Sequence, residues 1–344
     1  MKNKLLFISI IACFINEAHT QSIKELNKLT FKSKEYELKK AFEYSNRAID
    51  KINKSNKKKT ILESDVLSIR GTLYQLKGNF KKAINLHFKA LRIREIVKPI
   101  DLVKISNSKF NIANLYYITK SYSKSKQFHL ESLVILKKST SENTDYIKNY
   151  NSLGTLYLEL KQLDSAYYYF NEGLHIIEKD ELNKDPVSMD LYLNIGIYYE
   201  EISNLELAYF YLNKAIQLQL ENNDLEGLYF SYHHIGIIHE LKQNYSYAKA
   251  YYKKALDIAQ KYDDLESLRD LSASLVTTYD KEGNSDSSAH YFQEFKKYSD
   301  LFHQAIQQKT ILELDTKYKT KEKNIAIKNA NERESLYKTG IIIA

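Results

Sequence analysis

The string HHIGIIHE (233–240) is the densest set of side chains in the chain that could hold a metal or move a proton. A zinc-binding helix needs two histidines four residues apart, so that both imidazoles leave the same face. His234 and His239 are five apart and diverge, which points to packing rather than ligation. The acid pair in YYEE (198–201) could act as a carboxylate dyad only in a closed, water-excluding pocket. Stacked helical hairpins, the architecture argued below, do not supply one. The basic run NKSNKKK (53–59) is a short loop segment, and solvation accounts for it better than nucleic acid does. No glycine-rich phosphate loop, zinc-protease helix or nucleophile elbow occurs. The single cysteine, Cys13, permits neither an internal disulfide nor a cysteine metal site. The expectation is a protein without catalysis, metal or cofactor.

Whatever the chain binds must therefore be held by its elements. Two prolines and nine glycines in 344 residues argue for long helices and few tight turns. The net charge of +8 comes with acidic residues spread throughout, and 29 tyrosines without tryptophan suggest half-buried aromatic packing.

The organising signal is a repeat. Gly71, Tyr74, Ala83 and Ala90 define four columns. The columns recur at Ala113, Tyr116, Ser125 and Ser132, and again at Gly154, Tyr157, Ala166 and Gly173. They continue at Gly196, Tyr199, Ala208 and Ala215, then at Gly236, His239, Ala248 and Ala255. A degraded copy follows at Val276, Tyr279, Ser288 and Phe295, so the period is 40–42 residues. Small residues in the first and second columns let two antiparallel helices approach closely, with the tyrosine beside them. The third small column admits the next repeat. His87 and His129, which share a column with Phe170, Leu212, Tyr252 and Phe292, read as filler stacked between successive hairpins. Ala41 and Ala48 suggest one more hairpin at the front. A lone hairpin cannot bury its apolar face, so the copies must stack.

The segments NSLGTLYLELKQLDSAYYYFNEGL (151–174) and LNIGIYYEEISNLELAYFYLNKAI (193–216) resemble tetratricopeptide repeats, although the family's tryptophan and terminal proline are absent. The resemblance implies an all-α, right-handed α-solenoid of about seven stacked hairpins over 21–299. It also implies a protein or peptide partner, bound in the concave groove. Carried over residue by residue, the groove positions are Phe110, Asn114 and Tyr117 on one hairpin and Asn151, Thr155 and Glu159 on the next. Leu193, Ile197, Glu200 and Glu201 follow, then His233, Ile237 and Glu240. Amides, aromatics and acids suit hydrogen bonding to a peptide backbone with some apolar contact.

The ends carry targeting signals. Residues 1–20 have a basic start (Lys2, Lys4), an apolar run from Leu5 to Ile15 and small residues at Ala18 and Thr20, the anatomy of a signal peptide cleaved before Gln21. A rival reading takes IIAC (10–13) as a lipoprotein box with Cys13 lipidated. Export to the periplasm is the expectation in either case. Beyond Asp300, Ile311, Leu314, Tyr318 and Ile325 fall at helical steps, giving a connector or capping helix over 300–338. The segment LELDTKYKTKEKNIAI resembles the juxtamembrane connector of bacterial envelope sensors. Residues 339–344 then read as the start of a transmembrane helix. Two functions follow from these features. One is a non-catalytic exported scaffold. The other is the extracytoplasmic sensory domain of a membrane-bound histidine kinase or transcriptional regulator, attached to the membrane through that continuation. Oligomeric state is not legible.

Overall fold

The computed structural model describes residues 22–33, 37–54, 60–139 and 142–338. The leader (1–20), Cys13 and the apolar end (339–344) lie outside them. The described residues contain helices and turns and no strand. Contacts divide the chain into two compact units, Met1–Tyr198 and Tyr199–Ala344.

The first unit contains α1 (Ile23–Ser33) and α2 (Leu38–Lys54), then α3 (Ile61–Leu76) and α4 (Phe80–Ile96). Next come α5 (Leu102–Ile118) and α6 (Tyr122–Leu136), then α7 (Asn143–Glu159) and α8 (Leu163–Lys179). A 3-10 turn (Leu182–Lys184) leads into α9 (Val187–Glu201), whose last residues fall in the second unit. That unit continues with α10 (Leu205–Glu221), α11 (Leu225–Leu241), α12 (Tyr245–Lys261), α13 (Leu265–Glu282) and α14 (Ser285–Lys338). Each unit is an α-solenoid in which consecutive helices pack as stacked hairpins.

The repeat columns do what their sizes require. A Cβ on Gly71 would come within 2.7 Å of the His87 ring, and one on Gly154 or Gly236 would collide with the ring of Phe170 or Tyr252. Each of these three glycines therefore seats the ring sixteen positions later, on its own hairpin partner. This corrects the sequence reading of His87: it fills its own hairpin rather than the space between hairpins. The second-column alanines Ala83, Ala166, Ala208 and Ala248 are fully buried. In the third column, a Cβ on Gly173 would lie 3.0 Å from Leu191 on α9, so this column does admit the following repeat. Where that column holds Ser132, its hydroxyl donates to the Ser106 carbonyl at 3.1 Å. Arg94 is buried and satisfied, donating to Ser64, Ser108, the Lys104 carbonyl and Asp65 at 2.7–3.1 Å. It ties α4 to α3 and α5.

The tyrosine column also closes the turns. The backbone N–H of Asn79, Ser121, Gln162, Asn204, Asn244 and Asn284 donates to the carbonyl of Tyr74, Tyr116, Tyr157, Tyr199, His239 and Tyr279 at 2.8–2.9 Å. Between each pair sits a left-handed residue: Gly78, Lys120, Lys161, Ser203, Gln243 or Gly283. Turns centred on Asn223 and Asp263 repeat the geometry between hairpins of the second unit. Helices α11 and α12 have 17 residues each, so the excess over the family's 34-residue repeat lies mainly in the helices.

Helix α14 runs unbroken from its hairpin with α13 across Asp300 to Lys338, so the second helix of the last hairpin and the connector are one element. Its exposed apolar residues include Leu301, Ile306 and Ile325. Among the described residues, no helix is long and apolar enough to cross a membrane.

His87 has neither ring nitrogen hydrogen-bonded, and burial, with Arg94 nearby, lowers its pKa to about 4. Because the folded value lies below the unfolded one, this contribution to stability is complete above pH ~6.5 and is lost as pH falls toward 4. It should cost about 2 kcal/mol by pH 5. His87→Phe, imitating Phe170 on Gly154, should remove that part of the acid sensitivity when urea unfolding is compared at pH 7.5 and 5.

Candidate functional site

The predicted groove positions lie along the first helices of successive hairpins. In the first unit, Phe110, Asn114 and Tyr117 are half-buried along α5. Asn151 and Thr155 are half-buried on α7, Glu159 is exposed, and Ile197 is half-buried on α9. In the second unit Glu200 is half-buried and Glu201 exposed, while His233, Ile237 and Glu240 are half-buried on α11. Leu193, grouped with them by sequence, is 8% exposed and belongs to the core.

Several of these residues are engaged by their neighbours. In the first unit Phe110 meets His129 edge-on at 5.4 Å, and Tyr117 lies 5.8 Å from Tyr122. The Tyr122 hydroxyl donates to Glu159 at 3.1 Å, linking α6 to α7. Burial, then the Glu159 charge, raises the Tyr117 phenol above its ordinary pKa. Asn194 Nδ2 donates to Asn151 Oδ1 at 2.9 Å, joining the faces of α7 and α9. Thr155 turns its hydroxyl onto the Asn151 carbonyl of its own helix at 2.9 Å. Phe110, Asn114 and Tyr117 thus follow one another at helical steps along α5, and the Asn151 amide is half-buried on α7.

The second unit carries different chemistry. His234, which sequence reasoning set aside as diverging from His239, pairs with Glu200 at 2.8 Å. His233 lies 6.3 Å from Tyr229, nearly parallel to it, and 5.8 Å from Tyr252, and burial lowers its pKa to about 4. Glu240 accepts from the Tyr252 hydroxyl at 2.9 Å, from Thr278 at 3.0 Å and from Lys281 at 2.7 Å. Burial opposes its charge, yet these donors hold the carboxyl below its usual range. His239 stacks between Tyr247 and Tyr251 at 5.2 and 5.5 Å, with burial lowering its pKa.

Asn194, Tyr122, Thr278 and Lys281 were missed from sequence, and the pairing of His234 was not foreseen. The signal for two of them is spacing near the repeat length: Asn151 and Asn194 are 43 apart, and Glu240 and Lys281 are 41 apart. Among the described residues, no cluster of three or more histidine, cysteine or acidic side chains could hold a metal ion.

Truncating Glu240 strands the Tyr252 hydroxyl, on a residue only 1% exposed, and frees Lys281 and Thr278. Glu240→Ala should therefore cost about 2–3 kcal/mol. Glu240→Gln, which keeps an acceptor for Tyr252, should cost roughly half as much. Chemical denaturation of both variants at pH 7 measures the difference.

The tetratricopeptide repeat family model matches residues 190–222 and 231–262. No curated protein sequence matches the chain. Among solved structures, the apo form of RapI superposes with a TM-score of 0.61 at 17% identity, over 80% of this chain and 97% of that one. The Rap conjugation gene regulator of plasmid pLS20, solved with a peptide, gives a TM-score of 0.52 at 16% identity, over 80% and 95%. The type IV pilus biogenesis factor PilW gives 0.52 at 18% identity, over 68% and 92%. Identities this low establish fold alone. The family model therefore identifies two tetratricopeptide repeats in the chain, and the same column contacts recur at Gly71 and Gly154 of the first unit and Gly236 of the second.

Proposed function

We propose that the chain is a non-catalytic, exported scaffold that binds an extended peptide or a partner helix along the inner face of its first helices. The observation that carries this reading is the half-buried face of Phe110, Asn114, Tyr117 and Asn151 on successive hairpins. Amide side chains can pair with peptide N–H and C=O groups, and the two rings supply apolar contact without a deep pocket. The similarity to a regulator solved with a peptide supports the choice of ligand class. Export rests on the basic, apolar and small-residue order of residues 1–20.

The inner face is tested with an array of immobilised random 15-residue peptides, probed with the wild type and with an Asn114→Ala/Tyr117→Ala double variant. Peptides retained by the wild type should bind the variant at least tenfold more weakly, at unchanged melting temperature. Equal retention would move binding off this face. Export is tested by expressing the chain from Met1 in a bacterial host and sequencing the amino terminus of the periplasmic product. A start at Gln21 is expected, and an intact cytoplasmic chain would overturn it.

A further inference from the structure

Charge is unevenly spread along the first unit. Between Asp65 and Glu95 the sequence carries seven lysines and arginines and no acid. Between Asp101 and Glu131 it carries five more lysines, again with no acid. Three of these cations are neutralised: Arg94 and Lys104 share Asp65, and Lys109 pairs with Glu131. Lys77, Lys81, Lys82, Lys120 and Lys124 are exposed, and none has a carboxylate partner among the described residues. All five sit where a first helix turns into its second: in the α3–α4 and α5–α6 turns or the first turns of α4 and α6.

The packing gathers them. Phe88 meets Phe128 at 5.7 Å, so α4 and α6 lie side by side. Arg94, near the end of α4, bonds the start of α5, so α4, α5 and α6 alternate in direction and both turns reach one edge of the unit. Lys82 lies 5.2 Å from the centre of the Tyr74 ring, and Lys124 lies 5.3 Å from that of Tyr116. The same edge shows two aliphatic tips, Leu76 at 53% and Ile118 at 43% exposure. Comparable lysines of the second unit are spent inside it. Lys242, at the repeat position of Lys77, pairs with Glu206 at 2.9 Å, and Lys281 pairs with Glu240 at 2.7 Å.

A lysine is a hydrated point charge without the planar fork that reads single carboxylates. Five of them around two aliphatic tips fit a diffuse anionic plane. The ammonium groups gain from its surface potential, and the tips can enter the headgroup boundary. An acidic polypeptide would match the lysines and leave Leu76 and Ile118 in water. We propose that this edge docks the first unit peripherally on an anionic phospholipid surface.

Flotation of the full chain tests it, with vesicles of phosphatidylcholine alone or with about one-third phosphatidylglycerol. The wild type should bind the anionic vesicles at least about tenfold more tightly, and added salt should erase the difference. Lys77→Gln/Lys81→Gln/Lys120→Gln/Lys124→Gln should lose that preference at an unchanged melting temperature. Glutamine already fills the left-handed turn position at Gln243. If the quadruple variant melts early, Lys81→Gln/Lys124→Gln gives the same comparison. Residues 1–20 and 339–344 are identical in all these proteins, so the difference reports the edge. Lys137→Gln/Lys138→Gln, at the far end of α6, should bind like the wild type. Leu76→Ser/Ile118→Ser should weaken binding about threefold and keep the salt dependence. An unchanged preference in the lysine variants, or an equal loss at Lys137 and Lys138, overturns the proposal. Full displacement by polyglutamate, with no effect of Leu76→Ser/Ile118→Ser, assigns the edge to an acidic polypeptide and overturns it as well.

Discussion

The structure depends on the contact between a missing or minimal side chain and a ring sixteen residues later. Gly154 against Phe170 and Gly236 against Tyr252 bring paired helices so close that no Cβ fits between backbone and ring. That spacing fixes where the neighbouring columns fall. The second-column alanines become fully buried, and at Gly173 the third column is thin enough for Leu191 of the next helix to pack against it. Close packing then passes the constraint along each unit, because every repeat supplies the apolar surface its neighbour needs.

The aromatic content follows from the same geometry. Tyr157 stacks on Tyr169, Tyr199 on Tyr211, His239 on Tyr251 and Tyr279 on Tyr291, each pair nearly parallel at 5.3–5.7 Å. The partner comes twelve residues later in every case. Lysines cover some of these rings, with Lys126 5.0 Å above Tyr157 and Lys249 4.7 Å above Tyr279. A basic side chain laid on a ring shields the stack, and the Lys249 ammonium is paired with Glu282. Substituting histidine for tyrosine at 239 preserves the stack, since a neutral imidazole offers the same flat face.

The two units put this scaffold to different chemical use. In the first, the inner positions keep amide groups and rings that are only partly engaged. In the second, Glu240 accepts from three donors on α12 and α13, and Glu200 pairs with His234. A carboxylate held by Tyr252, Thr278 and Lys281 ties adjacent hairpins together more than it invites a ligand. The amides and rings of α5 and α7 are less fully paired inside the protein than the carboxylates of the second unit.

Much of the fold was legible in the sequence because small-residue columns are a one-dimensional record of helix–helix distance. The period, the hairpins and the burial of Ala83 or Ala248 follow from size and spacing alone. The side of the helix on which His87 is used, and the fate of Glu240, did not. Those depend on which neighbour reaches the side chain across a gap of 16 or about 40 residues, and a helix face presents several candidates at once. Leu193 shows the limit from the other direction: its register matched the inner face, but packing closed over it. The sequence by itself determined the repeat and its stacking, because steric exclusion at glycine and alanine admits few solutions. Only the tertiary structure decided which polar groups are spent inside the protein and which still face outward, because hydrogen bonds are made by whichever partner the packed helices bring within reach.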